Sequence, residues 1–215
     1  MSTTLIVVRH GQSEGNVAQR FIGQGETALT EKGREQARRT AAFLKDYPIN
    51  AVYASDLSRA YDTARPTAEV HGLQITREPS FREIFAGDWE GKRFDDLDTL
   101  FPESYGMWRQ NIGHAHPDHG ERVADLYERV NGQIDRLLQK HRGECIAVFT
   151  HATPVRMMAC KWYGYSLDEA FRVPFCPNAS VSIIEYEDDG SHRIVCYGYD
   201  AHQGDIASTL PKNIV

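Results

Sequence analysis

Short apolar runs rich in β-branched residues alternate along this chain with stretches of helical periodicity. A short apolar or alternating run indicates a strand, and apolar spacing of three to four residues indicates a helix. Strands that alternate with helices form βαβ units, which build a largely parallel sheet. The runs predict strands at residues 4–8, 51–54, 73–77, 145–150, 181–186 and 194–197.

Helix signals fall between these runs. Thr30 and Ser55 are predicted N-caps, because hydroxyl side chains accept hydrogen bonds from the first backbone N–H groups of a helix. The longest amphipathic stretch predicts a helix over about residues 121–141. Thr153 followed by Pro154 marks a further helix start, directly after the fourth strand.

The end of the chain changes the expected sheet from parallel to mixed. Residues 187–191 form a turn signal between the last two strands, which predicts a hairpin. Residues 87–120 carry no strand signal and predict a small helical insertion near a site. We therefore predict an α/β fold, a three-layer sandwich with a mixed, mostly parallel central sheet flanked by helices, in a single domain over residues 1–215.

Composition narrows the partners and the compartment. The formal net charge of −6 argues against nucleic acid and anionic membranes as partners. The N-terminal apolar run ends at Val8 and is followed by Arg9, so it indicates a strand and not a signal sequence or membrane span. The four cysteines show no CxxC pairing, which predicts reduced thiols and a cytoplasmic protein.

Basic and imidazole side chains recur where predicted strands end. Arg9 and His10 end the first strand, Arg59 opens the helix after the second, and His151 follows the fourth. The carboxyl ends of parallel strands share one sheet edge, where open α/β folds bind ligands. Guanidinium groups match phosphate oxygens well, so this edge is predicted to bind an anion.

The positive field of that edge favours one kind of chemistry for His10. Arginines repel a metal cation, but they offset the charge of a phosphoryl group that a histidine attacks. Each residue alone indicates little, since an isolated Arg-His pair or a helix-start arginine is usually structural or solvated. The prediction depends on independent segments that deliver compatible groups to one edge.

Several motifs follow one another over roughly residues 5–186. The first is Arg9-His10-Gly11-Gln12-Ser13-Glu14-Gly15-Asn16, and the later ones are Leu29-Thr30-Glu31-Lys32-Gly33 with Gln36-Ala37, Ser55-Asp56-Leu57-Ser58-Arg59-Ala60 with Thr63-Ala64, Arg82-Glu83-Ile84, Gly87-Asp88-Trp89-Glu90-Gly91 and Thr150-His151. In this order they resemble the motifs of the histidine phosphatase superfamily, in its phosphoglycerate mutase-like family and phosphatase branch, and residues 9–16 are similar to its RHG-x-(S/T)-x-x-N signature.

The resemblance implies a phosphatase that needs neither a metal nor another cofactor. It implies that His10 attacks phosphorus and that Glu83 is the general acid and base. It further implies that the phosphate oxygens are bound by a set of four side chains, namely Arg9, Asn16, Arg59 and His151. Ala152 departs from the glycine that many relatives carry after the second histidine, which predicts a small change in pocket shape.

Glu83 has competitors in the sequence. Glu90 and Asp88 are close to it along the chain, and Glu83 is adjacent to Arg82, with which a surface carboxylate would pair. Alignment of the motif favours Glu83 over both neighbours.

A second histidine cluster suggests a different reaction. Residues 114–119 fit the HxHxDH pattern of metallo-β-lactamase-type hydrolases, whose histidines bind zinc. In that family the motif follows a strand, whereas here it precedes a long amphipathic helix. We therefore interpret these residues as a solvated loop or as part of a lid over the active site.

Three functions remain open at this point. A phosphoglycerate mutase needs a closed, strongly cationic pocket, but the only lysines and arginines between Gly91 and Gly120 are Lys92, Arg93 and Arg109. An inactive phosphate-binding module is disfavoured because the expected catalytic and phosphate-binding side chains are retained, namely His10, Arg9, Arg59, His151 and the candidate Glu83. We predict a phosphatase of small organic phosphomonoesters, with an aromatic lid that leaves room for an ester with an apolar part. The physiological substrate and the oligomeric state stay open.

Overall fold

The computed structural model describes residues 2–208, and its centre is one mixed six-stranded sheet. The strand order is β3-β2-β4-β1-β5-β6. The first four in this order run parallel, and β5 and β6 add antiparallel pairs. The strands are β1 (Thr3–Arg9), β2 (Ile49–Ala54), β3 (Ile75–Arg77), β4 (Cys145–Thr150), β5 (Val181–Tyr186) and β6 (His192–Tyr199).

Helices cover both faces of this sheet, so the predicted mixed three-layer α/β fold is confirmed. Within residues 2–208 no helix is both long and apolar enough to cross a membrane. The α-helices are α1 (Glu14–Val17), α2 (Glu31–Leu44), α3 (Ser58–Val70), α4 (Phe94–Leu100), α5 (Pro102–Gln110), α6 (Val123–Lys140) and α7 (Ala152–Trp162).

Strand β1 shows how the three layers form. Its side chains alternate between the two faces, because successive residues of a strand point in opposite directions. Leu5 and Val7 pack with α6, α7 and the insertion, whereas Ile6 and Val8 pack with α2 and α3. All four are fully buried, which explains why β1 is apolar without alternation.

The prediction of Ser55 as a helix cap is wrong. Helix α3 begins at Ser58, and its N-cap is Leu57, which makes no side-chain cap. Ser55 is fully buried three residues earlier, and its hydroxyl contacts the ring of His151. The predicted cap at Thr30 is confirmed, since its side chain accepts a hydrogen bond from the Gly33 backbone.

The insertion of residues 87–120 folds around one tryptophan. Trp89 is fully buried, and edge-to-face contacts join it to Tyr105, Trp108 and Phe21 at centroid distances of 5.4, 5.8 and 5.5 Å. Aromatic pairs prefer this geometry. Much of the aromatic character that the sequence shows here therefore serves to pack the insertion onto the sheet.

Candidate active site

A pocket of about 190 Å³ opens at the carboxyl ends of the central strands, and we call it the strand-end pocket. Arg9 ends β1 and pairs in register with Thr150 of the neighbouring parallel strand β4. His10 and His151 follow these two residues directly, and their ring centroids lie 5.2 Å apart. The predicted site residues that line the pocket are Arg9, His10, Asn16, Arg59 and Glu83.

The predicted phosphate ligand His151 lies behind the side chain of His10, outside the pocket lining. Its residue is fully buried, and it does not belong to the pocket lining. Its Nε2 is 2.8 Å from the hydroxyl of Ser55, and its ring packs against that of His10. His151 therefore adjoins the pocket through its contact with the ring of His10 and has no contact with the pocket of its own.

Hydrogen bonds set the orientation and the tautomer of His10. Its Nδ1 lies 2.7 Å from the carbonyl oxygen of Gly11. A carbonyl only accepts, so Nδ1 carries the proton and Nε2 carries the lone pair. Among residues 2–208, Nε2 has no hydrogen-bond partner. The backbone of His10 is held by Thr150 on β4 and by Ala179.

The surroundings keep His10 uncharged. Burial lowers its pKa well below the ordinary value of 6.5, and the charges of Arg59 and Arg9 lower it further. Burial, with Arg59 as the next cause, also lowers the pKa of His151. Both rings are therefore neutral near neutral pH, and His10 presents an unprotonated nitrogen to the pocket.

Two buried cations adjoin that nitrogen. Arg9 and Arg59 are 7% and 2% exposed, and neither forms an ion pair with a carboxylate among residues 2–208. Arg9 donates to the carbonyl of Cys176, and Arg59 donates to those of Gly23 and Gly25 at 2.7 and 2.9 Å. Buried charges without a partner are costly. Burial lowers the pKa of both arginines and the charge of Glu83 raises it, so Glu83 offsets part of this positive charge, and an anion bound in the strand-end pocket would offset more.

Hydrogen bonds to the side-chain oxygen of Asn16 fix the orientation of its amide group. Its Oδ1 accepts from the Ser13 backbone N–H at 3.0 Å and from the Asn178 amide at 3.1 Å. Its Nδ2 group has no hydrogen-bond partner among residues 2–208. This side chain therefore presents two N–H donors beside the arginines.

Glu83 carries the only carboxylate in the pocket lining, as far as the described residues go. Its Oε1 accepts from the Ile84 backbone at 2.8 Å, and its Oε2 accepts from the Thr153 backbone at 3.3 Å. Thr153 lies in the first turn of α7, so Glu83 bridges its own segment and the helix after β4.

The neighbours that compete with Glu83 for the role of general acid, and the arginine beside it, bind other partners. Arg82 pairs with Asp56, its Nε and the Asp56 Oδ1 lying 2.7 Å apart, and not with Glu83. Glu90 accepts from the Gln24 backbone at 2.8 Å, and Asp88 binds His119 at 2.9 Å. Neither Glu90 nor Asp88 lines the pocket.

Several supporting residues were missed in the sequence. Asn178 donates to the His10 carbonyl at 3.1 Å, and the hydroxyl of Thr63 accepts from the Gly11 backbone at 3.0 Å. Arg129 on α6 contacts the carbonyls around Glu83. Thr63 stands in a motif with family resemblance, which was a usable signal. Asn178 and Arg129 carry no local pattern that points to the site.

The histidines of residues 114–119, which we call the His-rich loop, point to separate partners. His114 binds Asp168, His116 lies 3.2 Å from the Gly120 carbonyl oxygen, and His119 binds Asp88. Across residues 2–208 no group of three histidine, cysteine or acidic side chains is arranged to hold a metal ion. The loop therefore forms three separate contacts.

One wall of the strand-end pocket is aromatic and its rim is basic. Phe21, Phe94 and Trp108 line it together with Phe175. Lys32 adds a cation at the pocket, where its ammonium group donates to the Ala207 carbonyl at 3.3 Å. The pocket therefore combines apolar surface with positive charge.

Known proteins resemble this chain over most of its length. Residues 5–198 match the model of the histidine phosphatase superfamily (branch 1). Phosphoserine phosphatase 1 of Hydrogenobacter thermophilus is 32% identical, over 86% of this chain and 87% of that protein. Phosphoglycerate mutase-like protein 4 of Arabidopsis thaliana is also 32% identical, over 92% of this chain and 86% of its own length.

A solved structure shows the same architecture. The YhfR protein of Bacillus stearothermophilus superimposes with a TM-score of 0.88 at 30% sequence identity. The superposition covers 94% of this chain and 99% of YhfR.

Proposed function

This chain belongs to the histidine phosphatase superfamily, and we propose that it hydrolyses small organic phosphate monoesters through a phosphohistidine on His10. Family membership and similarity to a phosphatase support the reaction class. The observation that carries the proposal is the state of His10. Its Nδ1 is bound to the Gly11 carbonyl, so a neutral Nε2 lies beside two buried arginines that form no ion pair within residues 2–208.

In the first step the phosphate group binds between Arg9, Arg59 and the Asn16 amide. Nε2 of His10 forms a bond to phosphorus, and the bond from phosphorus to the ester oxygen breaks. Glu83, as the carboxylic acid, gives its proton to the departing oxygen, so an alcohol leaves. The arginines offset the charge on the transferred phosphoryl group.

In the second step the Glu83 carboxylate takes a proton from a water molecule. The water oxygen bonds to phosphorus, the bond from phosphorus to Nε2 breaks, and inorganic phosphate leaves. His10 returns to its neutral form with Nδ1 still bound to Gly11. His151 packs against the ring of His10, and its fully buried position outside the pocket lining supports a role through that ring instead of direct contact with the phosphoryl group.

The rest of the chain suggests how the site is enclosed and where it acts. We regard residues 1–215 as one domain in which the insertion of residues 87–120 is a lid, since Phe94 and Trp108 line the pocket. This wall suits an ester with an apolar part. The free thiols of Cys145, Cys160 and Cys176 suit the cytoplasm.

Substitution of the nucleophile tests the proposal. With p-nitrophenyl phosphate, His10→Ala should lower kcat by at least about 10³-fold, because the covalent route is lost. The matched control His114→Ala changes an exposed histidine and should keep wild-type activity. Quenching wild type during turnover should trap an acid-labile, alkali-stable phosphoenzyme. Retained activity in His10→Ala would refute the nucleophile.

Two further measurements separate the alternatives. Activity should persist after EDTA treatment; loss in EDTA and recovery with zinc would contradict the metal-independent mechanism. Isomerisation of 3-phosphoglycerate that requires a bisphosphate primer, and exceeds hydrolysis, would replace the phosphatase with a mutase.

A further inference from the structure

Arg129 makes an unusual set of contacts beneath the active site. It lies on α6, and its Nη1 donates to the carbonyls of Ser80 and Arg82 at 2.8 and 3.0 Å. Its Nη2 also approaches the Glu83 carbonyl oxygen at 3.5 Å. One guanidinium thus contacts three carbonyls of the segment that ends at Glu83.

Glu121 holds this guanidinium in place. Its two oxygens accept from Nε and Nη2 of Arg129, both at 2.8 Å, which is the forked geometry that fits arginine and carboxylate best. The side chains of Arg129 and Glu121 are only 23% and 17% exposed. Glu121 also exchanges two hydrogen bonds with the backbone of Phe85, on the other side of Glu83.

The segment around Glu83 also has anchors on other elements, since the Thr150 hydroxyl donates to the Phe81 carbonyl at 2.7 Å and Arg82 pairs with Asp56. The segment lies between the short helical turns Pro79–Phe81 and Gly87–Trp89, outside any strand or helix. The Gln24 amide adds one contact to the Glu83 carbonyl at 3.1 Å. A general acid must stay within hydrogen-bond reach of the oxygen it protonates, and a displacement of about 1 Å lowers the rate steeply.

We propose that Arg129, held by Glu121, is the positioning residue for the Glu83 carboxyl. The pair brackets the backbone at residues 80–85 and so aims the acid at the leaving oxygen. Lysine would not replace Arg129, because an ammonium group lacks the planar fork that binds Glu121 and the carbonyls together. This inference rests on the proposed function, in which Glu83 is the general acid.

Leaving-group dependence tests the inference. A poor alkyl leaving group needs protonation, whereas p-nitrophenolate leaves without it. We expect Arg129→Met to lower kcat/KM by about 10- to 100-fold with glycerol phosphate, but by less than about threefold with p-nitrophenyl phosphate. Arg129→Lys should show the same selectivity. The matched control Arg122→Met removes an exposed ion pair at the start of the same helix and should change neither value.

Equal losses on both esters would overturn the inference, because they would indicate a general structural role. Glu121→Gln is the second variant if Arg129→Met folds poorly, and it should give a smaller loss with the same selectivity. In a Glu83→Gln background, Arg129→Met should add no further selective loss; an added one would show that Arg129 does not act through Glu83.

Failure of the proposed function would look different. If Glu83→Gln alone showed no dependence on the leaving group, Glu83 would not be the acid, and the positioning role would fall with it. If Glu83→Gln were selective and Arg129→Met were not, only the role of Arg129 would be refuted.

Discussion

Histidines gather in two regions of this protein, the strand-end pocket and the His-rich loop. At the pocket, His10 in the lining and His151 behind it are buried and follow neighbouring strands, and their rings touch. In the loop, His114, His116 and His119 are exposed and contact different partners. Residues far apart along the chain meet in the first region, and residues close along the chain point apart in the second.

The two regions also treat the imidazole charge in opposite ways. Burial and nearby arginines lower the pKa of His10, whereas the hydrogen bond that His119 donates to the Asp88 carboxylate raises the pKa of His119. A neutral ring with one free nitrogen suits nucleophilic attack, and a ring bound to a surface carboxylate does not. Partners and burial, and not the density of histidines in the sequence, therefore distinguish a reactive region.

After loss of the nucleophile, the largest effect should come from removing a pocket cation. Arg59→Met should lower kcat/KM for p-nitrophenyl phosphate by about 10²- to 10³-fold, the usual loss for one donor to transition-state charge. The matched change Arg109→Met removes an exposed insertion arginine bound to Asp98 and should be nearly silent. Similar losses in both variants would contradict the contrast between the pocket and the insertion that carries the His-rich loop.

A glycine contact should show that the pocket tolerates less change than the insertion. A Cβ on Gly33 would lie 2.0 Å from the Gln12 carbonyl oxygen, two residues after His10, so the backbone must move. Gly33→Ala should cost about 1–3 kcal/mol in urea unfolding and lower kcat. Gly106→Ala, in α5 of the insertion, meets nothing within 4 Å and should stabilise the protein slightly. Equal stability of the two variants would contradict this.

The burial of His10 and His151 should make the free energy of unfolding depend on pH. Their folded pKa values lie below the unfolded value of about 6.5, so below that pH the unfolded chain binds more protons. Stability is then lost as pH falls below about 6.5, by up to about 1.4 kcal/mol per pH unit for each histidine. His151→Gln should flatten the slope between pH 7.5 and 5.5 in urea titrations. The control Met107→Gln should not, and parallel slopes for His151→Gln and wild type would refute the cause.

The smallest effect should come from the His-rich loop itself. The ion pair between His119 and Asp88 is 86% and 50% exposed, so water and salt screen it. His119→Ala should leave kcat/KM within about twofold of wild type in a p-nitrophenyl phosphate assay. A large loss would assign the loop a direct role in substrate binding.

The strand pattern was readable in the sequence, because burial on one or both faces imposes it. The predicted runs at residues 145–150 and 181–186 coincide with β4 and β5. The run at residues 73–77 is shortened to Ile75–Arg77, since the Leu73 amide donates to the Ala68 carbonyl of α3 instead of joining the sheet. The predicted parallel arrangement also placed Arg9, His10 and His151 at one sheet edge, because β1 and β4 are parallel neighbours.

Polar contacts between distant segments could not be predicted from the sequence. Ser55 fits a helix cap as a local pattern, but its hydroxyl contacts His151, far away along the chain. Arg129 and Glu121 look like an ordinary charged pair near the start of an amphipathic helix. Their role depends on the backbone carbonyls of residues 80–83, which only the folded chain brings close to them. The periodicity of a single helix does not predict such contacts.

The register of β1 on β4 bears on how the site responds to fluctuations. Arg9 pairs with Thr150, and the His10 amide donates to the Thr150 carbonyl at 2.9 Å. Adjacent strands keep a spacing of about 4.8 Å, so the separation of the two rings follows from the sheet. The His10 amide should therefore exchange with deuterium only when the central sheet opens. We expect loops around the pocket to exchange sooner, so that the nucleophile keeps its place while they move.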